Sequence, residues 1–433
     1  MRAGAAIQAM QSMLVMQSFT LYVVVLKEEF AWSATLFSIA FAMTRAESGM
    51  LGPLQGWMID RFGPRSVMRV GLVLMGVGFM AFSTLQNEIQ FFAFYFLIAL
   101  GASLGGFLSI TTAIVNWFDR YRSRALATSQ AGFAIGGFLT FVIAYALTNF
   151  GWRDTAFVSG VVVLVVGLPL SQFIVHRPED VGQHVDGIDP AELPGADAAV
   201  EVKSAPRVDF TAREAMRTRG FWLISAGHAS ALLVVGAVMV HISPYLTEAH
   251  GYTLGQAAIF VAALPVVQLI GQMIGGFLGD RVNKRMMVAV AMAGHMTGFL
   301  LLAFAQNAVM IWGFVVLHGL GWGVRGPLMQ SMRADYFGRT HYGTIMGFSS
   351  LIVMLGMMIG PIVAGVLRDV TGGYGLGFAV LAVLAGVGSV FFIFATPPAP
   401  PRRPEPVEAS REPSEASAEA VPAPAPTAGG GRS

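Results

Sequence analysis

Apolar residues run along this chain in blocks of about twenty, separated by short stretches where charge, proline or glycine gathers. A membrane span needs ~20 mostly apolar residues to cross ~30 Å of hydrocarbon. Twelve blocks meet that length, near 7–26, 34–58, 66–86, 90–115, 124–148, 154–175, 220–246, 255–278, 286–305, 309–330, 342–367 and 375–395. They do not alternate in polarity as barrel strands do. Each is expected to be a helix that closes its own backbone hydrogen bonds in lipid. The first block lacks a small-residue cleavage site and reads as a span rather than a signal peptide. Two stretches break the pattern. Residues 176–219, with Pro178, Asp180, Asp186, Asp189, Pro190, Pro194 and Pro206, read as a flexible polar connector. Residues 396–433 are rich in Pro, Ala and Glu and read as a disordered tail. The expected organisation is a six-helix bundle over 1–175, the connector 176–219, a second six-helix bundle over 220–395, and the tail 396–433.

Composition agrees with lipid as the solvent. Of 433 residues, 55% are hydrophobic and 12% charged, against about 25% charged in soluble domains. Cysteine is absent, which excludes disulfides, thiolate catalysis and cysteine metal sites. The 24 methionines and 51 glycines suit closely packed helices. Where the charges stand matters more than the net +2. On one side the short loops hold Arg2, Arg61, Arg65, Arg69, Arg120, Arg122, Arg124, Arg281, Lys284, Arg285, Arg333 and Arg339; the other side holds Lys27, Arg153 and Arg368. Twelve against three predicts that both termini and the connector are cytoplasmic.

The halves repeat. Gly56-Trp-Met-Ile-Asp60-Arg61-Phe-Gly63-Pro-Arg65 follows span two, and Gly276-Phe-Leu-Gly-Asp280-Arg281-Val-Asn-Lys284-Arg285 follows span eight. The Asp-Arg pairs are 220 residues apart, and Phe118 and Phe337, in the loops after spans four and ten, are 219 apart. These loops resemble the Gly-x-x-x-Asp-Arg-x-Gly-x-Arg signature of the major facilitator superfamily, with Asn283 where the second copy departs from it. The resemblance implies an all-α membrane protein, twelve helices in two pseudo-symmetric six-helix bundles, with a cavity between them at mid-membrane. It also implies a multi-pass protein of the cell inner (plasma) membrane, monomeric, with gating residues at Asp60, Arg61, Arg65, Asp280 and Arg281. A narrower similarity, in Asn116–Arg124, Gly151-Trp152-Arg153, Arg177–Gly182 and Tyr336–Arg339, is to bacterial monocarboxylate and oxalate/formate antiporters. That group carries an arginine in span eight, where this chain has only Gln256, Gln268 and Gln272 as polar amides and no charge.

Intramembrane charge is costly, ~3 kcal/mol or more, and marks function. Arg45 and Arg325 fall within spans, as does Glu47. Glu47 is expected to neutralise one arginine through another helix, leaving one cation for an anionic substrate. His318, Trp322 and Arg325 share a helix face at i, i+4 and i+7. Gln11 and Tyr22 of span one are further substrate-binding candidates, and His318 and His241 can take up a coupled proton. His228 is a weaker candidate of the same kind, and His295, in a span that is usually peripheral, reads as structural. A packed aromatic stripe explains His318 and Trp322 equally well, and Arg325 could instead snorkel to the surface.

The expected function is a secondary carrier of a small organic anion, a carboxylate, by proton symport or exchange. Alternatives are efflux of a drug-like cation and a non-transporting sensor on the same scaffold. No metal cluster, nucleophile elbow or phosphate loop appears, so no enzyme, cofactor or metal is expected. The partners are the substrate, protons and lipid, and no nucleic acid.

Overall fold

The computed structural model describes residues 1–32, 34–188 and 209–401. The expected tail lies outside them from residue 402 onward. Among the described residues, ten helical stretches are long and apolar enough to cross a bilayer. We label α1 Arg2–Phe30, α4 Pro64–Phe82, α5 Glu88–Trp117, α6 Arg122–Ser171, α7 Arg219–His250, α9 Lys284–Ala303, α10 Ala308–Phe337, α11 Tyr342–Thr371 and α12 Gly375–Phe394, with α8 Leu254–Gly279.

Two expected spans are reconciled by their breaks. Span two is split at Leu51 into α2, Ala34–Met50, and α3, Gly52–Phe62, each too short to count alone. The split falls before Pro53, whose ring cannot continue the upstream ladder. The 50-residue α6 holds two spans, turning at Gly151, where φ is +78°. Ten stretches, one more within α6 and one made of α2 and α3 give the twelve expected. Large apolar side chains face outward along them, Phe138 at 81% and Val309 at 78% exposure among them, which only lipid can cover favourably.

The 220-residue offset reappears as matching contacts. A Cβ on Gly136 would meet Ala9 O at 2.0 Å, and one on Gly356 would meet Ala229 O at 2.1 Å. Asn87 caps α5 by accepting from Gln90 N at 3.0 Å, and Asn307 caps α10 by accepting from Met310 N at 3.2 Å. One apolar core is built from residues between Ile7 and Ile174 and another from residues between Phe210 and Ala395. A smaller cluster mixes the halves through Ile59, Val67 and Leu108 with Tyr342 and Met346.

The connector departs from expectation where it is described. Asp186 accepts hydrogen bonds from the backbone N–H groups of Asp119, Arg120 and Tyr121. Glu179 pairs with Arg339 at 2.8 Å, and Thr211 with Glu214 forms a capping box on a short helix, Ala212–Met216. Its carboxylates find fixed donors in the adjoining loops, so these ends are tethered rather than free.

Candidate functional site

Both Asp-Arg loops sit at the end of the molecule that carries the connector, and each clasps the opposite half. Asp60 accepts from Gly343 N at 2.9 Å, Thr344 N at 2.7 Å and the Thr344 hydroxyl at 2.6 Å. Asp280 accepts from Ser123 N at 2.8 Å and Arg124 N at 3.2 Å. Each carboxylate therefore meets the free N–H groups opening a helix, α11 or α6, where the helix dipole also favours negative charge. Glycine makes the approach possible: a Cβ on Gly56 would lie 2.1 Å from Gly343 O. Arg122 bonds Asp335, and Gln130 bonds Gln330 at 3.1 Å. Among the described residues, every hydrogen bond and ion pair joining the two bundles lies toward this end, so the structure is closed there. Of the other gating candidates, Arg61 is exposed, Arg65 donates to Gln172 O, and Arg281 stacks 3.9 Å from the Phe277 ring centre.

The deep charges cluster on α10. Arg325 is 1% exposed and His318 and His295 are fully buried, so Arg325 does not snorkel. Arg325 Nε donates to His295 Nε2 at 3.2 Å, and His295 Nδ1 lies 3.0 Å from His318 Nδ1. With neutral rings this chain fixes the tautomers. His295 accepts at Nε2, so its proton is on Nδ1 and is donated to His318 Nδ1, which leaves the His318 proton on Nε2. Among the described residues His318 Nε2 and Arg325 Nη2 have no hydrogen-bond partner, and both are donors. Trp322 packs edge-on to His318 at 6.0 Å. His295, expected to be structural, is the link that joins Arg325 to His318.

Arg333 corrects the loop assignment. It is 1% exposed inside α10, two turns beyond Arg325. Its guanidinium donates to Ser349 Oγ at 2.7 Å, Met329 O at 3.1 Å and His228 Nδ1 at 3.2 Å. The helix continues to Phe337, so the last turn before the loop is inside the bundle and Arg333 is a third deep arginine.

The first bundle does not join this cluster. The expected pairing of Glu47 with Arg45 or Arg325 is absent among the described residues. Glu47 is 6% exposed and accepts from Ser48 Oγ at 3.1 Å. Arg45 is half-buried, 4.6 Å from the Phe41 ring centre, with Met16 Sδ at 3.7 Å. Charge totals along a sequence do not place partners together; α2 turns its i and i+2 positions to different sides. Gln11 donates to Ala102 O at 3.3 Å, beside the break at Gly106. Tyr22 lines a small apolar cavity with Phe19, Phe82, Phe91 and Tyr95. His241 lies apart, bonded to Pro361 O at 2.9 Å.

A family model described as the Major Facilitator Superfamily matches residues 5–324 and 224–428. The chain belongs to the Major Facilitator Superfamily. It is thus a multi-pass membrane transporter rather than an enzyme. A probable sulfoacetate transporter of Cupriavidus necator is 25% identical over 386 residues, 86% of this chain and 87% of the relative. The cis,cis-muconate transport protein of Acinetobacter baylyi is 24% identical, covering 85% of this chain and 88% of its own. Among solved structures, the proton:xylose symporter XylE superposes with a TM-score of 0.68 at 14% identity, over 91% of this chain and 94% of that one, a likeness of fold alone. In this superfamily transporter the Asp60 and Asp280 clasps and the α10 cluster are the two features that geometry singles out.

Proposed function

We propose that the protein carries a small organic anion, a carboxylate or related acid, across the plasma membrane by alternating access, with Arg325 as the charge that holds it. One observation carries this reading. The buried Arg325–His295–His318 chain ends in two unmet donors, on Arg325 and His318, and no carboxylate neutralises Arg325 among the described residues. An anion offers only acceptors and a negative charge, and the planar guanidinium suits a carboxylate. Relatives named for sulfoacetate and cis,cis-muconate support an anionic cargo. With Arg333 moved inside, eleven basic residues in short loops at the connector end still oppose three at the other, which favours cytoplasmic termini. The closed end is then the cytoplasmic one, and the cargo enters from outside in this state.

A second reading, efflux of a lipophilic cation, is favoured by the buried and unpaired Glu47. A thermal-shift comparison of the purified protein separates the two. Sulfoacetate, cis,cis-muconate or a related acid should raise the melting temperature, and tetraphenylphosphonium should not. Stabilisation by the cation alone would reverse the assignment.

A further inference from the structure

Glu47 is the deep acidic side chain of the first bundle, and among the described residues it has no counter-ion. Its Oε2 accepts from Ser48 Oγ, and its Oε1 is buried with no hydrogen-bond partner among the described residues. Among the described residues, the elements around it supply no cation within ion-pair distance. Ser103 faces it from α5, and Ser103 in turn bonds Gln55 one helical face along. Tyr95 is the titratable group of α5 nearby, within electrostatic reach of Arg45. Arg45, two residues away on α2, is directed at Met16 and the Phe41 ring. From α11 the neighbour of this stretch is Met354, against Gly49; the charges of α11, Arg368 and Asp369, pair with Glu248 and each other at its far end.

We propose that Glu47 is a proton-binding site whose occupancy is coupled to closure of the seam between α2–α3 and α11. A bare carboxylate in such surroundings is costly, whereas a neutral acid is not. Its position supplies the coupling. Gly49, Gly52, Gly56 and Asp60 meet Met354, Gly347, Gly343 and Gly343–Thr344 in turn, a stripe at helical spacing that knits the two bundles. Glu47 lies just past the last of these contacts. While the seam is shut the carboxyl holds a proton taken from bulk water; when α2 and α3 part from α11, water reaches the carboxylate and the proton returns to it. His318 is the poorer proton site in this state, because a further charge there would join Arg325 without an anion.

The site itself stands on geometry, and only its use to drive anion symport rests on the functional reading above. The test is therefore in two parts, on the full chain in proteoliposomes. Infrared difference spectra between about pH 5 and about pH 9 should show a neutral-carboxyl stretch that titrates in the wild type and in Arg325→Gln and is lost in Glu47→Gln. With sulfoacetate or cis,cis-muconate as probe, Glu47→Gln should lose accumulation driven by a pH gradient yet keep exchange of the same anion across the membrane. Glu47→Asp, which retains an acid, should keep both, and serves if Glu47→Gln fails to fold. A wild-type spectrum with no such band, or a band unchanged in Glu47→Gln, overturns the proton site whatever the cargo proves to be. Gradient-driven accumulation that survives in Glu47→Gln overturns the coupling.

Discussion

The two bundles share a gate but not a chemistry. Shifting residue numbers by 220 carries Asp60 onto Asp280, and carries Ser123 and Arg124, whose amides Asp280 holds, onto Gly343 and Thr344, whose amides Asp60 holds. The same shift carries Gln8 and Ser129, hydrogen-bonded at 3.0 Å, onto His228 and Ser349, which meet through Arg333. At the deep charges the correspondence stops. Arg325 answers to Gly105, Arg333 to Ala113, His318 to Ile98, and Glu47 to Val267. Around its deep charges the second bundle thus gathers two buried arginines with His228, His295 and His318, whereas the first sets the buried Glu47 near the half-buried Arg45. Alternating access needs two halves that clasp and release alike, so the clasp is duplicated. On the proposed function, an anionic cargo and a coupled proton are held by opposite charges in separate places, and the chemistry is not duplicated.

The largest effect is expected from blocking closure. Gly56→Val places a side chain against Gly343 O and should reduce transport to the level of empty liposomes. Closure can be read directly. Ser123 and Ser331 lie 3.4 Å apart, oxygen to oxygen, across the two halves, and the chain has no cysteine of its own. A Ser123→Cys/Ser331→Cys pair should cross-link readily, and adding Gly56→Val should abolish the link. Next come the two clasps. Asp60→Asn and Asp280→Asn each weaken charge-assisted hydrogen bonds by ~1.5–3 kcal/mol, so each should slow transport about tenfold or more while leaving anion affinity within a few fold. If one substitution is near silent, the gate is not symmetric. If affinity collapses, the residue belongs to the binding site.

Within the second bundle the two arginines should part company. Arg333 has all its guanidinium nitrogens bonded, so Arg333→Gln should lower unfolding stability, by ~2 kcal/mol. Arg325 is under-satisfied, and Arg325→Gln should leave the anion-free protein as stable as the wild type or more so, by ~1–3 kcal/mol. Thermal unfolding without added anion checks both. The smallest effect belongs to the connector. Glu179 is half exposed; burial opposes its charge, but its own backbone N–H and Arg339 hold the carboxyl below the usual range on balance. Its contribution is therefore present at neutral pH and fades as pH falls through the carboxylate range. Glu179→Gln should change transport by less than about twofold at pH 7.

Much of this architecture is legible in the chain, and the misses have physical causes. Apolar run length gives twelve spans, because lipid thickness fixes helix length. The 220-residue offset of two Asp-Arg loops foretells a repeat, and the structure extends it to Asn87 and Asn307 and to the Gly136 and Gly356 contacts. Arg333 is misplaced because loops are counted from where charge appears, whereas α10 runs on to Phe337 and keeps its last turns inside. The apolar run Leu328–Met329 and the Met332 before it are the overlooked signal. His295 gains its importance from packing of α9 on α10, where Gly321 leaves room for its ring; nothing local in its own span reveals that. The absent Glu47–arginine pair shows that balancing charges by count cannot say which are neighbours.

The central claim is that Arg325 holds the anion. Equilibrium binding of sulfoacetate or cis,cis-muconate, whichever stabilises the wild type, should be measured for three proteins by titration calorimetry. The wild type should give a saturable isotherm. Arg325→Lys, which keeps the charge but loses the planar two-point grip, should bind about tenfold or more weakly. Arg325→Gln should show no binding while still folding and still cross-linking through cysteines at 123 and 331. A wild-type isotherm from folded Arg325→Gln would contradict the account.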